Sequence, residues 1–211
     1  MARSKSSKAW LREHVTDPYV HRARAEGYRS RAAFKLIELD ARDRLLAAGR
    51  TVVDLGAAPG GWSQVAAARV GAKGRTIAVD LLEMEPVAGV TFIQGDFTAA
   101  ATLDALAAAL AGRAADLVLS DMAPNISGVP ASDAARMTYL NELAADFAFE
   151  RLAEDGALLM KTFQGAGYSE LLEALRGRFE QVASRKPGAS RDRSAEMYLV
   201  ARRPRRTRRT E

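Results

Sequence analysis

The stretch Asp54-Leu55-Gly56-Ala57-Ala58-Pro59-Gly60-Gly61-Trp62 decides the fold. The run Thr51-Val52-Val53-Asp54-Leu55 that enters it is short and largely apolar, which predicts a buried strand; a helix is predicted over 61–70 after the glycine-rich turn. In an open parallel sheet, ligands bind beyond the carboxyl ends of the strands, where the strand order reverses. Glycines at such a turn let the backbone approach a ligand closely. A dinucleotide-binding turn reads G-x-G-x-x-G, so that a pyrophosphate rests on the helix N-terminus. Here the spacing is G-x-x-x-G-G, with Pro59 inside the turn and Asp54 ahead of it. A carboxylate at that point repels pyrophosphate and suits the ammonium of an amino-acid moiety. S-adenosylmethionine is therefore favoured over NAD as the cofactor, with Asp54, Gly56, Gly60 and Trp62 as candidate binding residues.

Working outward, strands are predicted at 75–80, 90–94, 116–120 and 157–162, alternating with helices at 99–111, 131–153 and 169–178. An amphipathic helix over 30–46 precedes the first strand, and two strands, 179–185 and 195–202, close the domain without a helix between them. Continuous apolar strands such as Leu117-Val118-Leu119 imply a mostly parallel sheet with helices on both faces. The expected class is α/β, Rossmann-like, with seven strands and an antiparallel final pair. Residues 1–28 read as an irregular basic arm, 29–201 as the folded domain, and 202–211 (RRPRRTRRTE) as a disordered basic tail.

Cysteine is absent from the 211 residues, which excludes disulfides, thiolate metal sites and a cysteine nucleophile. His14 and His21, seven apart in a polar stretch, make a poor metal site, so no metal is expected. No apolar run approaches the roughly 18 residues of a membrane helix, and the N-terminus does not read as a secretory signal. A cytoplasmic monomer is expected. Net charge is only +5, but residues 1–35 hold nine Lys/Arg against three Asp/Glu and residues 185–211 hold ten against three. The ends thus carry +13 and the remainder −8. Basic ends on an acidic body suit a phosphate-rich partner; basic termini that merely aid solubility give the same count.

Further acids stand at successive strand ends. Asp80 is placed to accept from ribose hydroxyls, and Asp96 from an adenine amino group with Phe97 nearby to stack. Either acid alone is a common turn residue. The next strand end, Ser120-Asp121-Met122-Ala123-Pro124, faces the position of the transferable methyl, so Asp121 also counts among the cofactor-binding candidates. It lacks the Asn/Asp-Pro-Pro-aromatic sequence of amino-group methyltransferases, and there is no cysteine for base-carbon chemistry, which leaves an oxygen acceptor. The fifth strand ends in Lys161, which needs a carboxylate partner or a function, or else snorkels to solvent.

These motifs, with Tyr28-Arg29-Ser30-Arg31-Ala32-Ala33-Phe34-Lys35-Leu36, Lys161-Thr162-Phe163-Gln164-Gly165 and Ser190-Arg191…Ser194-Ala195-Glu196-Met197-Tyr198, occur in the order in which they stand in the FtsJ/RrmJ family. The chain resembles that family, the ribosomal RNA large subunit methyltransferase E (RlmE) group, from about Ser7 to Ala201. The resemblance implies 2′-O-methylation of a uridine ribose in 23S rRNA, in the A-loop of the assembling 50S subunit, with S-adenosylmethionine as donor. It also implies a Lys35, Asp121, Lys161, Glu196 tetrad. Taken alone, Lys35 reads as a solvated helix residue paired with Glu38, and Glu196 as an exposed strand residue. A ribose hydroxyl is a weak acid and needs a base or an orienting group. Either a neutral Lys161 takes the proton, or a charged Lys161 orients the oxygen and the proton leaves late to Asp121 or water.

Arg29, Arg31, the 5–12 region, Arg185, Lys186, Arg191 and Arg193 are expected to grip RNA phosphates; Trp10, Tyr19 and Tyr28 are candidates to stack bases. Rival readings are a nucleotide-dependent oxidoreductase, a non-catalytic rRNA-binding assembly factor, and a ribose methyltransferase acting on tRNA or an mRNA cap.

Overall fold

A computed structural model describes residues 17–191 and 194–206. The elements are α1 (Pro18–Ala25), α2 (Ala32–Asp43), β1 (Thr51–Leu55), α3 (Gly61–Val70), β2 (Arg75–Asp80), β3 (Val90–Gln94), α4 (Ala100–Leu110), β4 (Ala115–Ser120), α5 (Pro130–Arg151), β5 (Leu152–Phe163), α6 (Tyr168–Arg178), β6 (Phe179–Arg185) and β7 (Glu196–Pro204). Trp10, His14, the 5–12 region and Arg193 lie outside the described residues.

The strands form one sheet in the order β3-β2-β1-β4-β5-β7-β6. β1 to β5 run parallel, and β7 lies antiparallel between β5 and β6. The order reverses between β1 and β4, which puts the glycine turn and the end of β4 side by side at the switch point. Alternate residues of the central strands feed two cores. Val53, Leu55, Val118, Leu158 and Met160 pack beneath α4, α5 and α6. Val52, Leu117, Leu119, Leu159 and Tyr198 pack beneath α2 and α3. Five consecutive buried residues in β1 follow from this double cover.

The structure departs from the sequence reading at both ends and at two helix boundaries. Part of the stretch read as irregular is helical: Asp17 caps α1 by accepting from the Tyr19 amide at 2.9 Å, and Pro18 takes the first turn, where no amide donor is needed. At the other end β7 continues to Pro204, so its last three residues are strand rather than tail. Arg206 then donates through Nη2 to the carbonyls of Phe149, Glu150 and Leu152 (3.0, 3.1 and 2.6 Å), satisfying the free end of α5. That end falls at Arg151, short of 153, because Leu152 is wholly buried as the first residue of β5 and pairs with Ala115. Similarly α2 stops at Asp43, where Arg44 turns left-handed (φ 51°).

Candidate active site

Four distant segments bring the tetrad side chains together. α2 supplies Lys35, the residue after β4 is Asp121, the end of β5 supplies Lys161, and the start of β7 supplies Glu196. Lys35 Nζ donates to Glu196 at 2.8 Å and Lys161 Nζ donates to Asp121 Oδ1 at 2.8 Å. Lys161 also donates to the Asp121 carbonyl at 2.5 Å. Lys35 does not pair with Glu38, whose carboxylate instead accepts from the Tyr19 hydroxyl (3.1 Å) and the Ala189 amide (3.1 Å). Glu196 also accepts from Ser190 Oγ at 2.7 Å. Burial alone would raise the Glu196 pKa, but Lys35, Ser190 and Lys161 overcome it and hold the carboxyl below its ordinary value.

Between the two pairs stands Tyr198, directly opposite Lys161 in the β5–β7 ladder, with its ring 5.9 Å from Lys35 Nζ. Its hydroxyl is buried and faces the Asp121 and Glu196 carboxylates without a well-formed hydrogen bond to either. Burial and those two negative charges push the phenol well above its ordinary value, so Tyr198 is a neutral spacer. Neither Tyr198 nor Ser190 is a sequence candidate. Their signal is register: Tyr198 lies two positions after Glu196 on an alternating strand, and so on the same face.

The glycine turn lies beside this cluster. Gly56 (φ 75°) passes so close to Met122 that a Cβ would sit 2.8 Å from its side chain and 2.9 Å from its backbone. Gly60 (φ 107°) stands at the N-cap of α3, and a Cβ there would meet Met84 Sδ at 2.9 Å. Asp80 holds the turn from β2, accepting from the Ala58 amide and, through its other oxygen, from the Leu82 amide, each at 2.8 Å. Asp54 is wholly buried beneath the turn; Oδ2 accepts from Ser63 Oγ at 2.6 Å and Oδ1 has no partner among the described residues. Burial raises its pKa to about 7, against the Ser63 bond and assisted by Asp121 and Asp80. Asp96 is more exposed; the Thr98 amide (2.9 Å) and hydroxyl (2.8 Å) lower its pKa and close a turn.

Two aromatic candidates point elsewhere. Trp62 is buried, donates Nε1 to the Ala32 carbonyl at 2.8 Å and packs its ring 5.8 Å from Tyr198. The indole is committed to holding α3 against α2 and the sheet. Phe97 turns into the other core, edge-on to Phe147 with centroids 5.5 Å apart. Trp62→Ala is expected to cost about 3–5 kcal/mol in urea unfolding, and Trp62→Phe is expected to leave S-adenosylhomocysteine binding unchanged. A selective loss of binding in Trp62→Phe would restore the ligand role.

Several cations of the site mouth are likewise engaged within the protein. The Arg29 guanidinium donates to the carbonyls of Glu85 (2.5 Å), Pro86 (2.7 Å) and Pro59 (3.2 Å), and its amide donates to Gln64. Arg31 pairs with Asp17, Arg185 forms a two-pronged pair with Asp43 (2.8 and 2.7 Å), and Lys186 donates to the Ser194 carbonyl at 2.9 Å. Arg29 therefore braces the turn. Among the described residues no group of three or more His, Asp or Glu gathers to hold a metal, and no helix is long and apolar enough to cross a membrane.

The model of FtsJ-like methyltransferases matches residues 28–204, from the segment before α2 to the last residue of β7. The chain belongs to the FtsJ-like methyltransferase family. It is 60% identical over 200 residues to a ribosomal RNA large subunit methyltransferase E of Azoarcus sp. (95% of this chain, 98% of that one). It is 58% identical over 198 residues to one of Chromohalobacter salexigens (94% of each chain). Among solved structures, a ribosomal RNA methyltransferase of Plasmodium falciparum, itself so described provisionally, superimposes with a TM-score of 0.76 at 30% identity, covering 84% of this chain and 98% of that one. A Streptococcus mutans methyltransferase-like protein, solved with S-adenosylhomocysteine, shares the fold alone: TM-score 0.51, 12% identity, 79% and 95% covered. The α/β Rossmann-like methyltransferase fold expected from the sequence is the fold of this FtsJ-like chain.

Proposed function

We propose that this protein transfers the methyl group of S-adenosylmethionine to the 2′-hydroxyl of a uridine ribose in 23S rRNA, in the A-loop of the assembling large subunit. The reading is carried by the convergence of the Lys35–Glu196 and Lys161–Asp121 pairs beside the Gly56–Gly60 turn. The named relatives support the choice of large-subunit rRNA.

Residues present at the turn fit the cofactor. Asp54 Oδ1, without a partner among the described residues, can accept from an ammonium, whose charge would draw the carboxyl into its ionised form, and the Asp80 carboxylate at the end of β2 can accept from ribose hydroxyls. Asp96 and Asp121 extend the same edge. When bound, S-adenosylmethionine supplies an electrophilic methyl on sulfonium. The chain supplies the rest. Lys161, donating to two oxygens of Asp121, acts as an ammonium whose remaining proton orients the acceptor oxygen in line with the methyl. The acceptor proton leaves late, to Asp121 or water. Lys35 and Glu196 fix the far side of the acceptor.

Labelled methyl from S-adenosylmethionine should pass to large ribosomal subunits, and alkaline hydrolysis should leave one resistant linkage, the mark of a blocked 2′-oxygen. Label on a base, or none on the subunits, would overturn the reading. RNA affinity should fall with salt, since a grip on even a few phosphates loses about tenfold or more between 50 and 200 mM. A flat salt profile would remove the phosphate assignment.

A further inference from the structure

A cleft of about 270 Å³ opens next to the tetrad, around the carboxyl edge of the sheet, between the start of α5, the β5–α6 loop and the segment after β4. None of the residues that carry the tetrad or the glycine turn lines it. We propose that it receives the nucleobase of the acceptor nucleotide, with Asn141 reading the base edge; this rests on the ribose-methylation reading above.

Position comes first. Thr162 and Phe163 line the cleft and directly follow Lys161; Pro124, also lining it, follows Asp121 by three residues. Strand alternation turns Thr162 to the α5–α6 face and Lys161 to the α2 face, so the cleft lies across the carboxyl edge of the sheet from the tetrad, with backbone steps of roughly 4–10 Å between them, the span of a nucleoside from its 2′-oxygen to the far edge of its base. A ribose held at Lys161 would carry its base over this edge.

Charge comes second. Among the described residues no Lys or Arg lines the cleft, and its one carboxylate is Asp133. Hydrogen bonds from Ser127 and Gly128 keep Asp133 below the ordinary carboxylate value, hence negative. A phosphate is unwelcome there, whereas an uncharged base is not. The walls are mainly apolar, with Met137, Leu171 and the ring of Tyr168, whose hydroxyl is tied to Ser184 Oγ at 2.6 Å. A flipped base needs such a dry slot with a few polar groups inside it.

The third observation is an unused acceptor. Asn141 on α5 is only 2% exposed and lines the cleft. Its Nδ2 donates to Thr162 Oγ1 at 3.0 Å, and its amide oxygen has no hydrogen bond among the described residues. Unlike Asp54 Oδ1, that oxygen is not sealed off: it opens to the cleft and can accept from a ligand that donates there. The imide N3–H of uracil is such a donor, and Thr138 and Gln164 on the walls can donate to the flanking carbonyls. Cytosine carries an acceptor at N3 and would oppose the Asn141 oxygen.

The test measures ribose methylation of unmethylated large subunits, with S-adenosylhomocysteine affinity and melting temperature as controls. Thr138→Phe, which fills the cleft from its rim, should lower kcat/KM by about tenfold or more with both controls unchanged. Subunits carrying cytidine at the acceptor position should be disfavoured by the native protein to a similar extent, and Asn141→Ala should narrow that preference. If Thr138→Phe turns over subunits like the native protein, or the native protein uses uridine and cytidine subunits equally, the cleft is not a base site. Failure of the native protein to label ribose at all would instead remove the underlying reading.

Discussion

Lys161→Ala is expected to lower methyl transfer by about 10²–10⁴-fold, the range for loss of a group that manages the acceptor proton. Lys161 is buried at the end of β5 and donates to both the carboxylate and the carbonyl of Asp121, so the ammonium also fixes where Asp121 points. Removing it leaves a partly buried carboxylate unpaired, and some loss of stability should accompany the loss of rate. Lys161→Arg tests the proposed orienting role against its alternative, proton abstraction by a neutral amine. An arginine cannot act as the base, because it stays protonated. Clear activity in Lys161→Arg above that of Lys161→Ala therefore supports orientation by a cation. Equal inactivity of the two supports proton abstraction, and a native rate in Lys161→Ala would remove Lys161 from the chemistry.

The second large effect concerns stability rather than rate. Asp54 titrates at about 7 in the folded chain against 3.8 for an ordinary aspartate. From about pH 4 to about pH 7 the unfolded chain releases a proton that the folded carboxyl keeps. Stability therefore falls as pH rises across that window, by ~4 kcal/mol from this group, and levels off above it. Asp54→Asn keeps the Ser63 partner and removes the charge, so it should flatten the slope and stabilise the protein at pH 8. Glu196 works in the opposite direction: its depressed pKa contributes stability that is lost as pH falls through the folded value. Urea midpoints at pH 4, 6 and 8 for the native chain and Asp54→Asn would decide it. Parallel curves would show that Asp54 ionises freely when folded.

Much of the architecture was legible because it rests on periodicity. Apolar runs such as Leu117-Val118-Leu119, spaced by helical segments, leave little choice but a covered parallel sheet. The helix at Pro18–Ala25 was hidden by its composition, with three cations or imidazoles among eight residues and only Val20 and Ala23 buried. Its Asp17-Pro18 start was nonetheless readable. For the site, motifs locate the backbone but not the direction of a side chain. The turn does lie at the switch point, yet Trp62 and Phe97 point into opposite cores. Charge counting has the same limit: it registers Arg29, Arg31 and Arg185 as cations but cannot register the carbonyls and carboxylates that occupy them. The partner of Lys35 lies 161 residues away on an inserted strand; the resemblance implied that both belong to one tetrad, but not that they pair.

The placement of β7 has a consequence for biogenesis. The C-terminal strand of the sheet is not an edge strand; it slots between two that were synthesised earlier, and it brings Glu196 and Tyr198 with it. As the polypeptide leaves its own ribosome, β5 and β6 are out before anything can fill the gap between them. Competence thus arrives all at once, with β7, and chains cut short before Glu196 should be idle rather than slow.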